Sequence, residues 1–240
     1  YDNFNEIMEE NKRKGVVAVI ESGINPQTNR KVIENAKTDI VYFSLGYHPT
    51  DIVEAEDFTI EKEIEFIESF NHPKFLAIGE IGLDFYWIKD KDLINKQIYW
   101  FNKLLSIAEK RKMPVIIHSR EAEREVLDIL KSYNVKVVLH SFWKPKLIKE
   151  AIENGFYISV PAFVYKDSGL QKIVKETPTD LILTETDSPF LDPIEKRNNR
   201  SWKIMYGLEK ISEIKGIDIE EVKETIVNNF EKVFNITITK

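Results

Sequence analysis

The sequence predicts an α/β protein whose strands and helices form a (β/α)8 barrel. Short continuous apolar runs alternate with amphipathic stretches along the whole chain, as expected when parallel strands are covered by helices. Four of these runs end in potential metal ligands, namely Glu80, His118, His140 and Asp187. In a parallel barrel the carboxyl ends of all strands lie on the face that carries the active site. The sequence therefore predicts that these four side chains converge.

Seven segments have the continuous apolar character of strands buried on both faces. They are residues 16–21, 40–46, 75–81, 115–119, 136–141, 156–160 and 181–187.

The stretches between these strands have helical periodicity. The clearest is 91–112, where Ile94, Ile98 and Phe101 recur on one face. It ends before Pro114, because proline cannot continue a helix. The other predicted helices are 3–14, 59–70, 121–132, 145–154, 168–176, 201–214 and 219–233.

We expect one domain over residues 1–240, because no Gly/Ser-rich linker divides the chain. The chain opens with a helix, so an eight-stranded barrel requires one more strand before Asn3, and we expect that strand upstream of Tyr1. An open doubly wound sheet is the competing fold. It needs no further strand, but it would spread the four ligands along a crevice.

Composition narrows the function classes. The net charge is −6, so a phosphate-bearing substrate must be held by a local basic patch. The chain has no cysteine, which excludes disulfides and Cys-ligated zinc and suits a reducing cytoplasm. No apolar run approaches the roughly 18 residues of a membrane span, and the first residues lack a signal-peptide pattern. We expect a cytoplasmic protein without a membrane partner or an obligate protein partner.

Two histidines and two carboxylates at strand ends indicate a divalent-metal site for hydrolysis. Each residue alone has a structural alternative: Glu80 as a helix cap or surface acid, His118 and His140 as hydrogen-bonded core residues. The chain has only four histidines, and two of them close consecutive predicted strands, which favours metal binding. Asp187 can ligate metal and take the proton from an attacking water, or hydrogen-bond a ligating histidine.

Other polar residues beyond the strand ends are expected to contact substrate. His48 follows a predicted strand and suits a substrate or leaving-group contact. The segment 196–203 contains four cations and Trp202, which could hold phosphates and stack a base. Arg120 would extend this basic rim. The alternative for 196–203 is a solvated polar loop that leads into a helix.

Four stretches together resemble the TatD-type metal-dependent deoxyribonucleases, a branch of the amidohydrolase-like barrels. They are G-Y-H-P at 46–49, G-E-I-G-L-D at 79–84, P-V-I-I-H-S-R at 114–120 and E-T-D-S-P at 185–189. Gln97 and the tail V-N-N-F at 227–230 also match the family pattern. The resemblance covers nearly the whole chain.

The resemblance implies a barrel that binds one to three divalent ions, and we expect two. Two imidazoles and carboxylates accept Zn, Mn or Fe and, less comfortably, Mg. The resemblance also implies that Glu80 bridges two metals, that His118 and His140 bind one of them, and that Asp187 positions or deprotonates the metal-activated water. The implied reaction is hydrolysis of phosphodiester bonds in DNA from the 3′ end. On this interpretation Arg120 and Arg197 steady the phosphate. The family also carries H-x-H in its first strand, which we expect upstream of Tyr1.

Two alternatives stay open. The site could hydrolyse another bond, such as an aminoacyl-tRNA ester or a small amide or lactone, because one barrel supports many reactions. If the upstream H-x-H is absent, the protein could instead bind nucleic acid without catalysis.

Overall fold

The computed structural model describes residues 3–195 and 198–238. Over these residues, strands and helices largely alternate, with short 3-10 turns before some of them. In chain order they are α1 (Phe4–Arg13), β1 (Val19–Ser22), α2 (Pro26–Asn35), β2 (Val41–Leu45), α3 (Pro49–Glu54), α4 (Asp57–Ser69), β3 (Phe75–Asp84), α5 (Lys91–Arg111), β4 (Val115–Arg120), α6 (Glu123–Leu130), β5 (Val137–His140), α7 (Ile148–Glu153), β6 (Tyr157–Pro161), α8 (Ser168–Glu176), β7 (Ile182–Glu185), α9 (Ile204–Lys215) and α10 (Ile219–Phe234).

All seven predicted strands and all eight predicted helices are present. Two helices, α2 and α3, were not predicted. Helix α2 begins at a capping box between Asn25 and Thr28, but its buried residues are Asn29 and Val32. A helix that buries an amide lacks the apolar periodicity by which helices are recognised. Helix α3 has only six residues, too few to show a period.

The chain forms two compact units. Unit A comprises residues 20–140. Its strands are adjacent in the order β1-β2-β3-β4-β5, and β2 to β5 pair in parallel. Their side chains build a core in which Phe43, Leu45, Ile78 and Leu105 have no exposed surface. Unit A is therefore an α/β layer in which the parallel strands β2 to β5 end at one edge.

Unit B comprises residues 3–19, 141–195 and 198–238 of the described chain. Strands β6 and β7 pair in parallel, with Ile158 opposite Ile182 and Pro161 opposite Glu185. Leu208 of α9 and Val233 of α10 are buried. Unit B thus repeats the parallel strand-and-helix arrangement predicted from the sequence.

The α/β class is confirmed in both units. The single-domain interpretation of residues 1–240 stays a prediction. Among the described helices, none combines the length and the apolar composition needed to cross a bilayer.

Candidate metal centre

Glu80 lies inside strand β3 rather than at its end. The prediction ended the strand at residue 81, but β3 continues to Asp84. Pairing with β4 is irregular between Ile78 and Ile81 and then resumes, with Gly82 opposite His118 and Asp84 opposite Arg120. The strand therefore extends past Glu80, and the side chain of Glu80 is largely buried, with 15% of its surface exposed.

A glycine just after the neighbouring strand β2 leaves space for this part of β3. Gly46 directly follows β2, and a Cβ atom placed there would lie 2.5 Å from the Glu80 carbonyl oxygen and 2.5 Å from the Gly79 carbonyl carbon. Such distances are far below van der Waals contact. Glycine at position 46 is therefore required for the observed backbone position of Glu80.

Three imidazoles surround one oxygen of the Glu80 carboxylate. His118 Nδ1 lies 3.1 Å from Glu80 Oε1. His48 Nε2 and His140 Nε2 each lie 3.8 Å from the same oxygen. The rings of His48 and His118 are in contact, with centroids 4.4 Å apart. Unit A thus brings together Glu80, His118 and His140, as predicted, and adds His48.

Asp84 is a site residue that the sequence interpretation missed. It is 1% exposed, and its Oδ2 accepts a hydrogen bond from His118 Nε2 at 3.0 Å. Gln97 holds the Asp84 backbone, since its Oε1 accepts from Asp84 N at 2.9 Å and its Nε2 donates to Asp84 O at 3.3 Å. A carboxylate of this kind fixes the tautomer and orientation of a ligating histidine.

A signal for Asp84 was present in the sequence. Side chains four positions apart in a strand lie on the same face, so Asp84 shares the face of Glu80. The two acids also belong to one motif, G-E-I-G-L-D. Asp84 does not stand out in the sequence, because the continuous apolar run ends near residue 81 while β3 extends to Asp84.

The arrangement around His118 calls for a cation. When Nε2–H donates to Asp84, the neutral ring presents the Nδ1 lone pair to Glu80 Oε1. Two acceptors 3.1 Å apart repel each other unless a proton or a metal ion lies between them. Burial lowers the pKa of His118, but the hydrogen bonds to Asp84 and Glu80 outweigh it, so that this pKa is raised.

The Glu80 carboxylate is held in its charged form. Burial raises the pKa of Glu80, but the nearby imidazoles, His140 foremost, oppose this, and the pKa is lowered well below its usual value. An anionic oxygen and imidazole nitrogens are donors that zinc, manganese and iron accept. Ligand atoms of His48, Glu80 and His118 lie within 4.8 Å of one another. The donor set therefore fits a divalent ion.

His48 has a second role in the local fold. It caps α3, and its Nδ1 accepts from Thr50 N at 3.3 Å while lying 2.7 Å from Thr50 Oγ1. Burial lowers the pKa of His48 to about 4, so the ring is neutral. With Nδ1 as acceptor, Nε2 carries the proton and faces Glu80 as a donor. Metal ligation by Nε2 requires the other tautomer, in which Nδ1–H donates to Thr50 Oγ1.

Asp187 belongs to unit B. Strand β7 ends at Glu185, two residues earlier than predicted, so Asp187 lies in the following turn. Its backbone is left-handed, with φ of +53°, a conformation that aspartate tolerates better than most residues. Glu185 Oε1 accepts from Ser141 Oγ at 2.5 Å, so the first acid of this motif has a partner within unit B. The catalytic role of Asp187 stays a prediction.

The predicted basic rim is only partly available for substrate. Arg197 and Lys196 lie outside the described residues. Lys203 is buried, and its Nζ donates to Asp192 Oδ2 at 2.6 Å, so it serves unit B as an ion-pair partner. Trp202 is partly buried, with Lys14 Nζ 4.9 Å from its ring centre. Arg120, at the end of β4, is exposed.

Comparison with known proteins identifies the family. The family described as TatD related DNase matches residues 1–235. An uncharacterized metal-dependent hydrolase of Methanocaldococcus jannaschii is 35% identical over 233 residues, which cover 97% of this chain and 90% of that protein. The human protein named deoxyribonuclease TATDN3 is 30% identical over 244 residues, covering 97% and 89%.

A solved structure shows the same fold. The Escherichia coli TatD homologue YJJV superposes with a TM-score of 0.89 at 22% identity, covering 98% of this chain and 93% of that one. This likeness confirms the predicted barrel-like fold class. The chain therefore belongs to the TatD-related DNase family of metal-dependent hydrolases.

Proposed function

We propose that this protein is a divalent-metal-dependent deoxyribonuclease that removes nucleotides from the 3′ end of DNA by phosphodiester hydrolysis. The observation that carries the proposal is the Glu80 carboxylate with three imidazoles around one oxygen. The human relative named a deoxyribonuclease supports DNA as the substrate. The cysteine-free composition fits action in the cytoplasm.

We propose that Glu80, His118, His140 and Asp187 are the residues that would hold the divalent ions. Bound there, the ions would supply Lewis-acid stabilisation of the phosphoryl group and a strong nucleophile at neutral pH. Asp84 keeps His118 Nδ1 directed at Glu80. Asp187 would act as a general base that accepts a proton from water.

Substrate contacts are assigned to His48, Arg120 and Arg197. His48 Nε2–H faces the Glu80 cluster and is a neutral donor, which suits a bond to a phosphate or leaving-group oxygen. Arg120 is a permanent cation at the end of the strand that carries His118, and a guanidinium matches the geometry of a phosphate. Arg197 lies outside the described residues, and its role rests on the basic composition of segment 196–203.

The test is digestion of a 5′-labelled single-stranded oligonucleotide by protein that has been stripped with chelator and reloaded with Mg²⁺ or Mn²⁺. We expect a ladder of products shortened from the 3′ end, and no ladder without metal. In Asp187→Asn we expect the ladder to be lost while the thermal unfolding midpoint is kept. Turnover of an aminoacyl-tRNA ester or a lactone without DNA cleavage would overturn the proposal in favour of another hydrolase. A lack of any bound or titratable metal would leave only nucleic-acid binding.

A further inference from the structure

Two large aromatic side chains stand exposed on the turn that follows β3. Tyr86 is 42% exposed and Trp87 is 63% exposed. Their rings meet edge to face, with centroids 4.8 Å apart and planes at 85°. Burial of an aromatic ring stabilises a fold, so two adjacent rings held at the surface contribute little to the core and are available for contact.

A permanent cation lies against the same pair. The Arg120 guanidinium carbon lies 3.9 Å from the centre of the Tyr86 ring and 5.4 Å from that of Trp87. The two segments are joined by a backbone hydrogen bond, in which Phe85 N donates to Arg120 O at 2.8 Å. The surface therefore combines aromatic faces with a guanidinium, the combination on which nucleic-acid bases and phosphates bind.

The pair is tied to the metal centre through one carboxylate. Asp84 Oδ1 accepts from Tyr86 N at 3.0 Å and from Trp87 N at 2.9 Å. Its other oxygen, Oδ2, accepts from His118 Nε2. Because the Asp84 side chain is 2% exposed, this connection is shielded from water. The aromatic turn and the histidine that faces Glu80 are thus held in one hydrogen-bonded unit.

We propose that Tyr86 and Trp87 form a stacking platform for a nucleobase of the substrate, with Arg120 holding the adjacent phosphate. This inference rests on the proposed deoxyribonuclease function and names the part of the substrate that the aromatic turn recognises. Every base has a π-face, so the platform adds affinity without selecting a sequence. The platform positions the DNA strand at the metal centre through a base as well as through its phosphates.

The experiment compares oligonucleotides that differ by one base. A fluorescent single-stranded DNA six-mer is titrated into chelator-treated protein, and anisotropy measures binding without cleavage. A parallel series carries an abasic residue at each of the last three positions. The variants are Trp87→Ala, Tyr86→Ala and Trp87→Phe. Tyr99→Ala is the matched control, because Tyr99 is also exposed, at 53%, and also has a cation over its ring, Lys103 at 5.7 Å.

In the wild type we expect one abasic position to weaken binding roughly 5- to 150-fold, the range of one stacked base. In Trp87→Ala and in Tyr86→Ala, binding of the intact oligonucleotide should weaken by a similar factor. Each of these variants should bind intact and abasic DNA with equal affinity. Trp87→Phe should keep most of the difference in affinity between intact and abasic DNA. The control Tyr99→Ala should keep all of that difference. Equal binding of intact and abasic DNA by the wild type would overturn the platform. So would an unchanged difference in both alanine variants.

The two proposals fail in distinguishable ways. If the wild-type protein cleaves DNA but binds abasic and intact DNA with equal affinity, the proposed function stands and the platform is rejected. If the protein binds DNA with the expected base dependence but cleaves no DNA, the platform stands and the nuclease function is rejected. Cleavage of the same abasic series by metal-loaded protein provides the second readout, and the abasic position that lowers binding should also lower kcat/KM.

Discussion

Glu63 and Glu80 are two buried carboxylates of the same unit with opposite kinds of partner. Glu63 has 4% of its side chain exposed and receives a bidentate ion pair from Arg30, at 2.8 and 2.9 Å, together with Asn29 Nδ2 at 2.8 Å. Glu80 has 15% exposed and faces three imidazoles. The guanidinium is charged at every physiological pH, whereas a neutral imidazole offers a lone pair.

The difference separates a carboxylate with a fixed counter-charge from the one that is proposed to bind metal. Glu63 has its counter-charge built into the fold, so both of its oxygens are neutralised when the chain folds. Glu80 instead faces imidazoles, which are not permanent cations and whose nitrogens can also bind a divalent ion. Burial alone does not distinguish the two residues. The chemistry of the partner does, and four substitutions test this comparison.

The largest effect is expected for Glu80→Gln. The amide keeps the shape of the side chain but removes the charge that attracts the ion. We expect bound metal to fall close to zero by elemental analysis. DNA cleavage should drop about 10³-fold or more, since a metal supplies several kcal/mol of transition-state stabilisation. The unfolding midpoint should change little. Retention of both metal and rate would show that Glu80 is structural like Glu63.

The reverse pattern is expected for Glu63→Gln. Arg30 loses its anionic partner, and because Arg30 is about half exposed the cost is moderate, about 2 kcal/mol in the free energy of unfolding. Metal content should stay at the wild-type value. Urea unfolding measures the loss, and Glu68→Gln is the control, since its pair with Lys110 is exposed and should contribute less than about 1 kcal/mol. Metal loss in Glu63→Gln would contradict the distinction.

Asp84→Asn tests whether His118 needs its acceptor. The amide removes the charge that fixes the ring, and we expect metal affinity to fall about 10- to 100-fold, measured by competition with a chromogenic chelator. Asp90→Asn is the matched control, because Asp90 Oδ1 also accepts two backbone N–H groups, those of Asp92 and Leu93, but caps α5 instead. If both variants bind metal equally well, Asp84 has no part in orienting His118.

The smallest effect is expected at Asp192, a unit B carboxylate that resembles Glu63 in having a fixed cation. Burial raises the pKa of Asp192, but Lys203 and the backbone N–H groups of Glu195 and Ile194 lower it more, and this pKa lies below its usual value. Asp192 therefore stabilises the fold above the unfolded-state pKa of about 3.9, and this contribution disappears as the pH falls through the lower folded-state pKa.

Asp192→Asn should therefore cost about 1 kcal/mol at pH 7, and the difference from the wild type should shrink as the pH falls below about 4. Guanidinium unfolding at a series of pH values measures it. A difference that is constant from pH 7 to pH 3 would show that the loss comes from packing rather than from the charge of Asp192.

The order of the elements and the proximity of three candidate ligands could be predicted from the sequence. Buried parallel strands appear as continuous apolar runs, and Glu80, His118 and His140 stood out because each directly followed such a run. Helix α2 could not be predicted in the same way, since its buried face includes Asn29. Asp84 was missed because a register irregularity carries β3 past Glu80, and such an irregularity depends on the partner strand.

By itself, the sequence determined which donor groups the protein has. It also determined a parallel α/β fold, in which strand ends lie at one edge. Both follow from the sequence because apolar periodicity and side-chain chemistry are local properties. Only the tertiary structure decided that His48 lies beside Glu80 and that Asp84 accepts a hydrogen bond from His118, 34 residues away in the chain. It also decided that Lys203 forms an ion pair with Asp192. Distances of a few ångströms between residues far apart in the chain depend on strand register and side-chain packing, which no short segment specifies.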